Sequence, residues 1–471
     1  MTAPSILVER RITEKMHAAG LPEPAVTAFL SAVRKVAAGE RGWLPEDSLA
    51  AIDSLPKLEY LPHDHAADTD LLKQLVVVKL NGGLGTSMGL DAAKSLLPVR
   101  GRDTFLDLIA RQVLHLRART GGTEPAFYLM NSFSTRRDTL EYLRRYWILN
   151  DGEALDFLQN MVPKLAARSL EPVSWPQEPE LEWCPPGHGD MYPALLGSGL
   201  LDRLIERGVK FMFVSNADNL GATVDLDLLR YFADEDLSFL MEVAERTAMD
   251  TKGGHLARRA NDGRLLLREL AQCPKEDLEA FQDVRRHRFF NTNSLWIRLD
   301  RLRGELDRHG GALPLPLIAN AKTVDPRDPT SPRVLQLETA VGSAIESFEF
   351  SGAVVVPRTR FSPVKNTSDL LVLRSDACRV TDDHRLVLDD RCLGQPPLVD
   401  LDPRHYQLLT QFDQFFPDGP PSLVECRSLS VRGPIRFDAH VVCQGRVAFT
   451  NRSSRTKTIP GGVYREQTLQ L

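Results

Sequence analysis

Residues 75–98, LVVVKLNGGLGTSMGLDAAKSLLP, decide the fold class of this 471-residue chain. The apolar run LVVV that opens the stretch predicts a buried strand of an α/β sheet. The glycines of NGGLG then allow the backbone N–H groups to come close to an anion, and Lys94 follows with a positive charge. This order predicts a phosphate-binding loop, although a plain tight turn after a strand would also explain three glycines.

Two familiar phosphate-binding motifs do not fit this loop. A Walker A loop has glycine directly before its Lys-Ser pair, and here Ala93 precedes Lys94 and Ser95. The dinucleotide fingerprint G-x-G-x-x-G would begin at Gly83, but its last glycine comes one residue late, at Gly89. The loop is therefore of another type, which disfavours a dehydrogenase.

Length and composition indicate a globular protein of two or three domains. A chain of 471 residues is too long for one compact core, and its 42% hydrophobic and 26% charged residues are ordinary. The net charge of -5 offers no general basic surface, so we expect no nucleic-acid partner. The first residues lack the apolar segment of a signal peptide and no run reaches membrane-spanning length, so we expect a cytoplasmic protein without membrane contact. The six scattered cysteines form no C-x-x-C pair and are predicted to be free thiols.

The spacing of apolar residues divides the chain into three predicted domains. Residues 1–70 predict a helical N-terminal segment. In residues 71–398, strand-like runs alternate with helical stretches such as 105–119 and 197–208, which predicts a largely parallel sheet covered by helices on both faces. The runs are VVVKL, PAFYLMN, KFMFVSN, LSFLMEV and GAVVVP.

Residues 399–471 form the third predicted domain. A helical stretch at 406–416 is followed by short alternating strands. The segments VRGPIRF (431–437) and CQGRVAF (443–449) repeat a glycine and two apolar residues at a spacing of twelve. Such an echo suggests the coils of a β-solenoid, and a plain β-meander explains it about as well.

Two short segments place polar groups where a ligand could bind. In CPPGHGD, glycines flank His188, so the imidazole could donate to a phosphate or sugar hydroxyl, or merely cap the following helix. In KFMFVSNADNLGATVD, a strand ends at Asn216, Asp218 and Asn219, the end at which open α/β sheets bind ligands. Asp218 is a candidate Mg2+ ligand beside a phosphate loop, and an Asx turn is the alternative.

Four further residues could complete a ligand site. Lys365, in SPVKNTSDLLVLR, could neutralise charge on a phosphoryl group, although most lysines are solvated surface residues. Gln159, in FLQNMVPKL, has an amide that could pair with a base edge. Asn291 and Asn293 could bind sugar hydroxyls, and turn asparagines are an equally good explanation.

Six of these stretches together resemble the eukaryotic-type UTP–glucose-1-phosphate uridylyltransferase family. In chain order they are LNGGLGTSMG with AKSLLPV, FLQNMVPKL, PPGHGD, VSNADNLGAT, FNTNSLW and PVKNTSDLL, and they span residues 75–371. The resemblance implies a Rossmann-like nucleotidyltransferase core with a mixed, mainly parallel sheet. It also implies a C-terminal left-handed parallel β-helix.

The resemblance implies roles for the matching positions of this sequence. Lys94 and Lys365 would be the catalytic cations, and Asp218 would bind the Mg2+ cofactor. The implied nucleotide-binding residues are Leu80, Asn81, Gly82, Gly83, Lys94, Gln159, Gly187, Asn216 and Lys365. The implied sugar-phosphate residues are His188, Asn216, Asn219, Lys252 and Asn293.

The sequence departs from the wider superfamily at two places. Related bacterial uridylyltransferases and hexosamine pyrophosphorylases tend to carry Gly-Thr-Arg in the loop, whereas here Thr86 is followed by Ser87. The missing arginine removes a planar phosphate fork, and Lys365 is the compensating cation that we predict. In DAAKS, glycine and proline are absent ahead of Lys94, which leaves the stiffness of the loop open.

The implied reaction is the Mg2+-dependent, reversible formation of UDP-glucose and pyrophosphate from UTP and glucose 1-phosphate. These four molecules are the expected partners, and self-association through the C-terminal domain is a further expectation. Two alternatives stay open. One is the same chemistry on galactose or N-acetylglucosamine 1-phosphate, and the other is an inactive nucleotide-binding scaffold, against which the presence of Lys94, Asp218 and Lys365 argues.

Overall fold

The structure is a computed structural model that describes residues 6–63, 68–150, 152, 154–247 and 250–471. A mixed sheet of ten strands forms its centre. In chain order the strands are β1 (Leu49–Ala50), β2 (Leu75–Asn81), β3 (Ala126–Asn131), β4 (Asp156–Leu158), β5 (Phe211–Asn216), β6 (Phe239–Glu245), β7 (His255–Arg259), β8 (Leu265–Arg268), β9 (Phe289–Arg298) and β10 (Ser351–Val355).

Strands β5, β2, β3 and β4 are neighbours in that order and run parallel. β9 is antiparallel to β5, β6 and β7, and β6 is parallel to β10. All five predicted strand-like runs form strands of this sheet, so the prediction of a mixed α/β fold is confirmed. The predicted alternation of strands and helices did not include β9. This strand lies in the middle of the sheet and pairs antiparallel with its neighbours.

The parallel strands bring their following loops to one edge of the sheet. Leu80 of β2 lies opposite Asn216 of β5, and Asn81 lies opposite Asn131 of β3. Because parallel strands share one direction, the glycine-rich loop after β2 begins beside the loop that contains Asp218.

Both faces of the sheet are buried. Val77 and Phe213 enter one apolar core, while Val76, Val78 and Met212 enter a second core on the opposite face. This explains the unbroken apolar run at the start of residues 75–98, because a strand buried on both faces has no polar side.

The described residues contain thirteen α-helices. These helices cover most of the two faces of the central sheet. The prediction at 105–119 is confirmed by a helix that Thr104 and Asp107 cap at its start. The helices are α1 (Ile6–Ala18), α2 (Glu23–Ala37), α3 (Asp68–Lys73), α4 (Phe105–Thr120), α5 (Phe133–Leu143), α6 (Met191–Gly197), α7 (Leu200–Glu206), α8 (Leu226–Asp234), α9 (Leu278–Gln282), α10 (Leu299–Arg308), α11 (Thr367–Arg374), α12 (Pro403–Tyr406) and α13 (Leu409–Phe415).

The N-terminal segment is helical for only part of its predicted length. α1 and α2 form as predicted, but the chain from Ala38 to His63 contains only short 3-10 turns and the edge strand β1. Prolines at 45, 56 and 62 interrupt any longer helix there. Residues 1–5 and 64–67 of the predicted segment lie outside the described residues. Ile12 and Phe29 of the two helices pack with Leu165 and Leu317 in a third apolar core.

The C-terminal region contains parallel strands. The strands β11 (Leu398–Leu401), β12 (Cys426–Arg432), β14 (Val441–Thr450) and β16 (Gly462–Gln470) form one sheet, and β13 (Ile435–Phe437) pairs with β15 (Lys457–Ile459). A meander would have antiparallel neighbours, so that alternative is wrong.

The twelve-residue echo does not describe how these strands pair. Leu429 lies opposite Val447 and Val431 opposite Phe449, an offset of 18 residues. The echoed glycines occupy different places, since Gly433 follows β12 while Gly445 lies inside β14 at an irregularity of the pairing. Similar residues therefore recur at non-equivalent positions of the strand pairing.

The C-terminal region contacts the core close to the glycine-rich loop. Gln407 Nε2 donates to the Ser87 carbonyl at 3.2 Å, and Thr367 Oγ1 at the start of α11 donates to the Tyr406 carbonyl at 2.7 Å. Phe437 and Phe449 belong to the same apolar core as the residues of α4. The C-terminal strands are therefore packed into the body of the molecule.

The remaining strands are short and form small separate pairs or sheets. They are Pro98–Arg100, Asp103–Thr104, Val162–Pro163, Leu165–Ala166, Trp183–Cys184, Ile318–Thr323, Arg333–Glu338, Cys378–Val380 and Leu386–Leu388. All six cysteines are free, as predicted. Across the described ranges, no helix is both long enough and apolar enough to cross a membrane.

A buried histidine pair lies where β1 and its preceding loop join the sheet. The rings of His255 and His287 stack with their centroids 3.8 Å apart, and His287 Nε2 lies 2.9 Å from Glu46 Oε1. Neither ring nitrogen of His255 has a hydrogen-bond partner in the part of the chain that the structure describes. Burial, together with the charges of His287, Arg246 and Arg268, holds the pKa of His255 well below its usual range.

We expect the free energy of unfolding to fall as the pH drops below about 6.5, the ordinary histidine pKa. Unfolded His255 gains a proton there while folded His255 stays neutral, so each pH unit removes about 1.4 kcal/mol. Urea unfolding at several pH values measures this slope. His255→Phe should make the slope shallower, whereas the control His115→Gln, at an exposed position, should not. Equal slopes for His255→Phe and the unchanged chain would contradict the assignment.

Candidate active site

The glycine-rich loop leaves β2 and folds back on itself. The Lys94 N–H donates to the Gly83 carbonyl at 3.2 Å, and Leu84 forms a bridge with Ala93. A Cβ on Gly82 would lie 2.6 Å from Gln159 Oε1, whereas a Cβ on Gly83 would meet no atom within 4 Å. A side chain at 82 would therefore displace the Gln159 amide, whereas the backbone at 83 faces open space.

Lys94 and Asp218 form an ion pair across the edge of the sheet. Lys94 Nζ lies 2.6 Å from Asp218 Oδ2, and the two side chains are 17% and 22% exposed. Two separate sequence motifs predicted that Lys94 and Asp218 each lie near a phosphate. The structure joins them directly, because β2 and β5 end side by side.

Lys365 stands close to this pair, directly before α11. The N–H of the preceding Val364 donates to the Asp218 carbonyl at 3.2 Å, and the Lys365 N–H donates to Asp369 Oδ2 at 2.7 Å. Burial raises the pKa of the Asp369 carboxyl, while the positive charges of both Lys365 and Lys94 act to lower it. One carboxylate therefore interacts with both predicted cations, and the Lys365 side chain itself is exposed.

His188 is held as a neutral hydrogen-bond donor. Its Nδ1 accepts the Val341 N–H at 2.8 Å, so the neutral ring carries its proton on Nε2. Burial lowers the pKa of His188 to about 4, which keeps the ring uncharged at neutral pH. The alternative that His188 caps the following helix is wrong, because Nδ1 is engaged with another segment.

The glycines around His188 are required by that other segment. Gly187 has φ +79°, and a Cβ there would lie 2.5 Å from the Thr339 carbonyl oxygen. A Cβ on Gly189 would lie 2.4 Å from Thr339 Oγ1. Gln159 connects this segment to the glycine-rich loop, since its Nε2 donates to the Gly187 carbonyl at 3.1 Å while its Oε1 faces Gly82.

Two of the predicted amides are turned away from the open site. Asn81 is 3% exposed, and its Nδ2 donates to Asn131 Oδ1 at 2.7 Å and to Thr139 Oγ1 at 3.1 Å. Asn219 is 2% exposed and bonds to the segment before Lys365. The neighbouring Leu80 and Asn216 remain half-buried. A contact between a ligand and either Asn81 or Asn219 remains a prediction. The positions of the two side chains do not favour such a contact.

Asn291 and Asn293 lie in the antiparallel strand β9. The pairing of β6 and β9 shifts at Glu242, and Asn293 in this bulge has φ +58°. Asn291 Nδ2 donates to Asn293 Oδ1 at 2.7 Å. These asparagines thus lie in a strand bulge and not in a simple turn. Lys252 is exposed beside residues 248–249, which lie outside the described residues.

The sequence reasoning did not identify Glu269. This half-buried residue follows β8, and a Cβ on Gly254 would lie 2.5 Å from its Oε2. Burial raises the pKa of the Glu269 carboxyl, and Lys365 opposes that shift. Only its position at the end of the run LLLR could have indicated it. Glu269 therefore adds an acceptor between Lys365 and the antiparallel strands.

Comparison with known proteins agrees with these motifs. A family profile described as UTP--glucose-1-phosphate uridylyltransferase matches residues 27–444. The UTP--glucose-1-phosphate uridylyltransferase of Solanum tuberosum is 38% identical over 408 residues, which cover 86% of this chain and 83% of the relative. The Saccharomyces cerevisiae enzyme of the same name is 40% identical over 392 residues, which cover 83% and 77%.

Solved structures resemble the whole chain. A point mutant of UDP-glucose pyrophosphorylase from Leishmania major, in complex with UDP-glucose, is 46% identical with a TM-score of 0.94 and 99% coverage of each chain. A UDP-glucose phosphorylase from Trypanosoma brucei is 46% identical with a TM-score of 0.89, covering 98% of this chain and 99% of the other. The chain belongs to the UTP–glucose-1-phosphate uridylyltransferase family.

Proposed function

We propose that the chain catalyses the reversible formation of UDP-glucose and pyrophosphate from UTP and glucose 1-phosphate. The observation that carries this proposal is the convergence of Lys94, Asp218 and Lys365 from three separate segments at one edge of the sheet. Relatives that share most of the chain are named for this activity, and one was solved with UDP-glucose. Two cations beside a carboxylate suit a transfer between polyanions.

The reaction needs charge neutralisation more than proton transfer. A phosphate oxygen of glucose 1-phosphate attacks the α-phosphorus of UTP and forms a new P–O bond. The bond from that phosphorus to the oxygen bridging to the β-phosphate breaks, and pyrophosphate leaves with the electron pair. The attacking oxygen is already anionic at neutral pH, so no general base is required. The repulsion between the two anions is the obstacle, and positioning and fixed positive charge reduce it.

The described side chains divide these tasks by their exposure and partners. Lys94 is largely buried against the loop and would hold the triphosphate. Lys365 is exposed before α11 and would reach the phosphates of both substrates. His188 would donate from Nε2 to the sugar phosphate or to the product, and its ring would be uncharged near neutral pH.

The site has donors that suit Mg2+. Asp218 Oδ2 contacts Lys94, while Oδ1 accepts no hydrogen bond from any residue that the structure describes. Within the same residues no group of three or more His, Cys, Asp or Glu could hold a metal. One carboxylate completed by phosphate oxygens and water is a coordination that Mg2+ commonly uses. When bound there, the ion would supply positive charge to the phosphate oxygens.

The nucleotide would lie over the glycine-rich loop. Gln159 stands between Gly82 and Gly187, where its amide could pair with uracil. The open backbone at Gly83 would face the phosphates, as would Lys94 and Lys365. The sugar would extend from His188 toward the bulge at Asn293, with Asn216 between nucleotide and sugar. The exposed Lys252 would lie at the rim of the site.

We also propose a domain organisation, a cellular location and a surface for self-association. The boundaries 1–70, 71–398 and 399–471 are our proposed domains. The parallel strand pairing of the third supports a β-helix, and the left hand that we propose for it is the one that the resemblance implies. We also propose a cytoplasmic location. The last strand, β16, pairs on one side with β14 and exposes much of its length, which supports self-association through this domain.

Pyrophosphate release from UTP tests the proposed reaction. We expect release with glucose 1-phosphate and slower release with galactose 1-phosphate or N-acetylglucosamine 1-phosphate. Faster release with either of these sugars would assign another substrate. No release with any of them, while UTP still binds, would support the scaffold alternative.

We expect Lys365→Ala to lower kcat by about a hundredfold or more, the scale of losing one charged transition-state donor. Steady-state pyrophosphate release measures kcat, and circular dichroism checks the fold. Lys322→Ala removes an exposed lysine of the strand Ile318–Thr323, which contains no residue assigned to the site, and serves as the matched control, with kcat within about twofold. Near-normal kcat for Lys365→Ala would remove this lysine from the mechanism.

We expect Asp218→Asn to shift the Mg2+ concentration needed for half-maximal rate upward by at least about tenfold, because a neutral amide is a poorer ligand for a hard cation. A magnesium titration of the rate at saturating substrates gives this value. Asp262→Asn, at an exposed turn, provides the control for loss of one negative charge. An unchanged titration for Asp218→Asn would rule out the metal role.

A further inference from the structure

A buried ion pair lies beneath the loops that carry Asp218 and Lys365. Arg360 Nε donates to Glu242 Oε2 and Arg360 Nη2 donates to Glu242 Oε1, both at 2.8 Å. Glu242 is completely buried in β6, and Trp296 Nε1 adds a third bond to its Oε1 at 3.0 Å. A two-point contact between a guanidinium and a buried carboxylate fixes both groups in direction as well as distance.

Arg360 belongs to the segment that ends at Lys365. Its Nη2 also donates to the Thr223 carbonyl at 2.8 Å, so the guanidinium bonds to both β6 and the loop that follows β5. The proposed mechanism gives Arg360 no contact with a substrate. Its side chain is 9% exposed and faces the interior.

Asn219 ties the main chains of the two loops together. Its Nδ2 donates to the Arg360 carbonyl at 3.1 Å, and its Oδ1 accepts the Ser362 N–H at 3.0 Å. The adjacent Asp218 carbonyl accepts the Val364 N–H at 3.2 Å. Three bonds therefore join the residues at Asp218 to those immediately before Lys365.

The two loops also approach each other too closely for a side chain. A Cβ on Gly221 would lie 2.4 Å from the Thr359 carbonyl oxygen. Real Cβ atoms do not come so near to backbone oxygen, so any other residue at 221 would push the segments apart. The separation of the loops is thus set by packing and by hydrogen bonds.

We propose that Asn219, Arg360 and Glu242 are positioning residues, which hold Lys365 at a fixed distance from Asp218 for the transfer step. This inference rests on the proposed function for the roles of Asp218 and Lys365. It gives Asn219 a task other than the sugar contact that the resemblance implied, because both ends of its amide are engaged with residues 360–362. A displacement of about 1 Å in a reacting group is enough to lower a rate by about a hundredfold.

A double-mutant cycle between Asn219→Ala and Lys365→Ala tests the inference. We expect Asn219→Ala alone to lower kcat by about ten- to a hundredfold and to leave the KM values for UTP and glucose 1-phosphate within about twofold. In the Lys365→Ala background the same change should lower kcat by less than about twofold, because the group that Asn219 positions is gone. Asn261→Ala, at an exposed turn, is the matched control in both backgrounds.

Gly221→Ala supplies an independent perturbation that removes no polar group. It should lower kcat in the unchanged chain and have little further effect in the Lys365→Ala background. Thermal unfolding of every variant checks that the compared proteins are folded at the assay temperature.

Other results would contradict either the positioning role or the proposed function. A raised KM for glucose 1-phosphate in Asn219→Ala, or an equal loss of kcat in both backgrounds, would overturn the positioning role. The proposed function fails separately, through near-normal kcat in Lys365→Ala itself. If Asn219→Ala does not fold, the Gly221→Ala cycle gives the same decision.

Discussion

Parallel pairing between β2 and β5 is the constraint on which the rest of this site depends. It aligns Leu80 with Asn216, so the glycine-rich loop and the Asp218 loop must start from neighbouring points. The ion pair between Lys94 and Asp218 follows from that start. A slip of one residue would exchange the two faces of β5, so that Phe213 and Met212 would each point into the other core. The register of two central strands therefore determines where opposite charges can meet.

The loop after β5 rests on charged groups that are themselves buried. Lys79 of β2 is 3% exposed and donates from Nζ to Ser215 Oγ at 2.7 Å and to the Ala222 carbonyl at 2.6 Å. Burial and the nearby Arg360 lower the pKa of Lys79 to about 7, while Glu242 acts in the opposite direction. Buried charged groups of this kind hold the loop in one position, because each buried charge is stable only with its partners in place.

Much of the fold follows from local pattern, and the part that does not has a physical reason. The five strand-like runs were predicted because strands buried on both faces leave unbroken apolar stretches. β9 was missed because its first half, FFNTN, carries the polar residues of the bulge. The 18-residue offset of the C-terminal strands was missed because Gly433 follows a strand whereas Gly445 lies within one.

The candidate site also contains parts that could be predicted from the sequence and parts that could not. The ends of β2 and β5, the glycine-rich loop and the flanked His188 were all recognisable from residue type and position. The engagement of Asn219 was not, because its partner Arg360 lies 141 residues away in the chain and only the folded loops bring them together. The fixed tautomer of His188 likewise depends on the distant Val341 N–H.

The packing of the C-terminal strands into the main core has a consequence for biosynthesis. When a ribosome has completed residue 398, every residue assigned to the site has been made. The core that contains Val77 still lacks Phe412, Phe437 and Phe449, and Thr367 at the start of α11 still lacks its acceptor at Tyr406. The support of Lys365 is therefore complete only once the C-terminal strands have been made and have packed against this core.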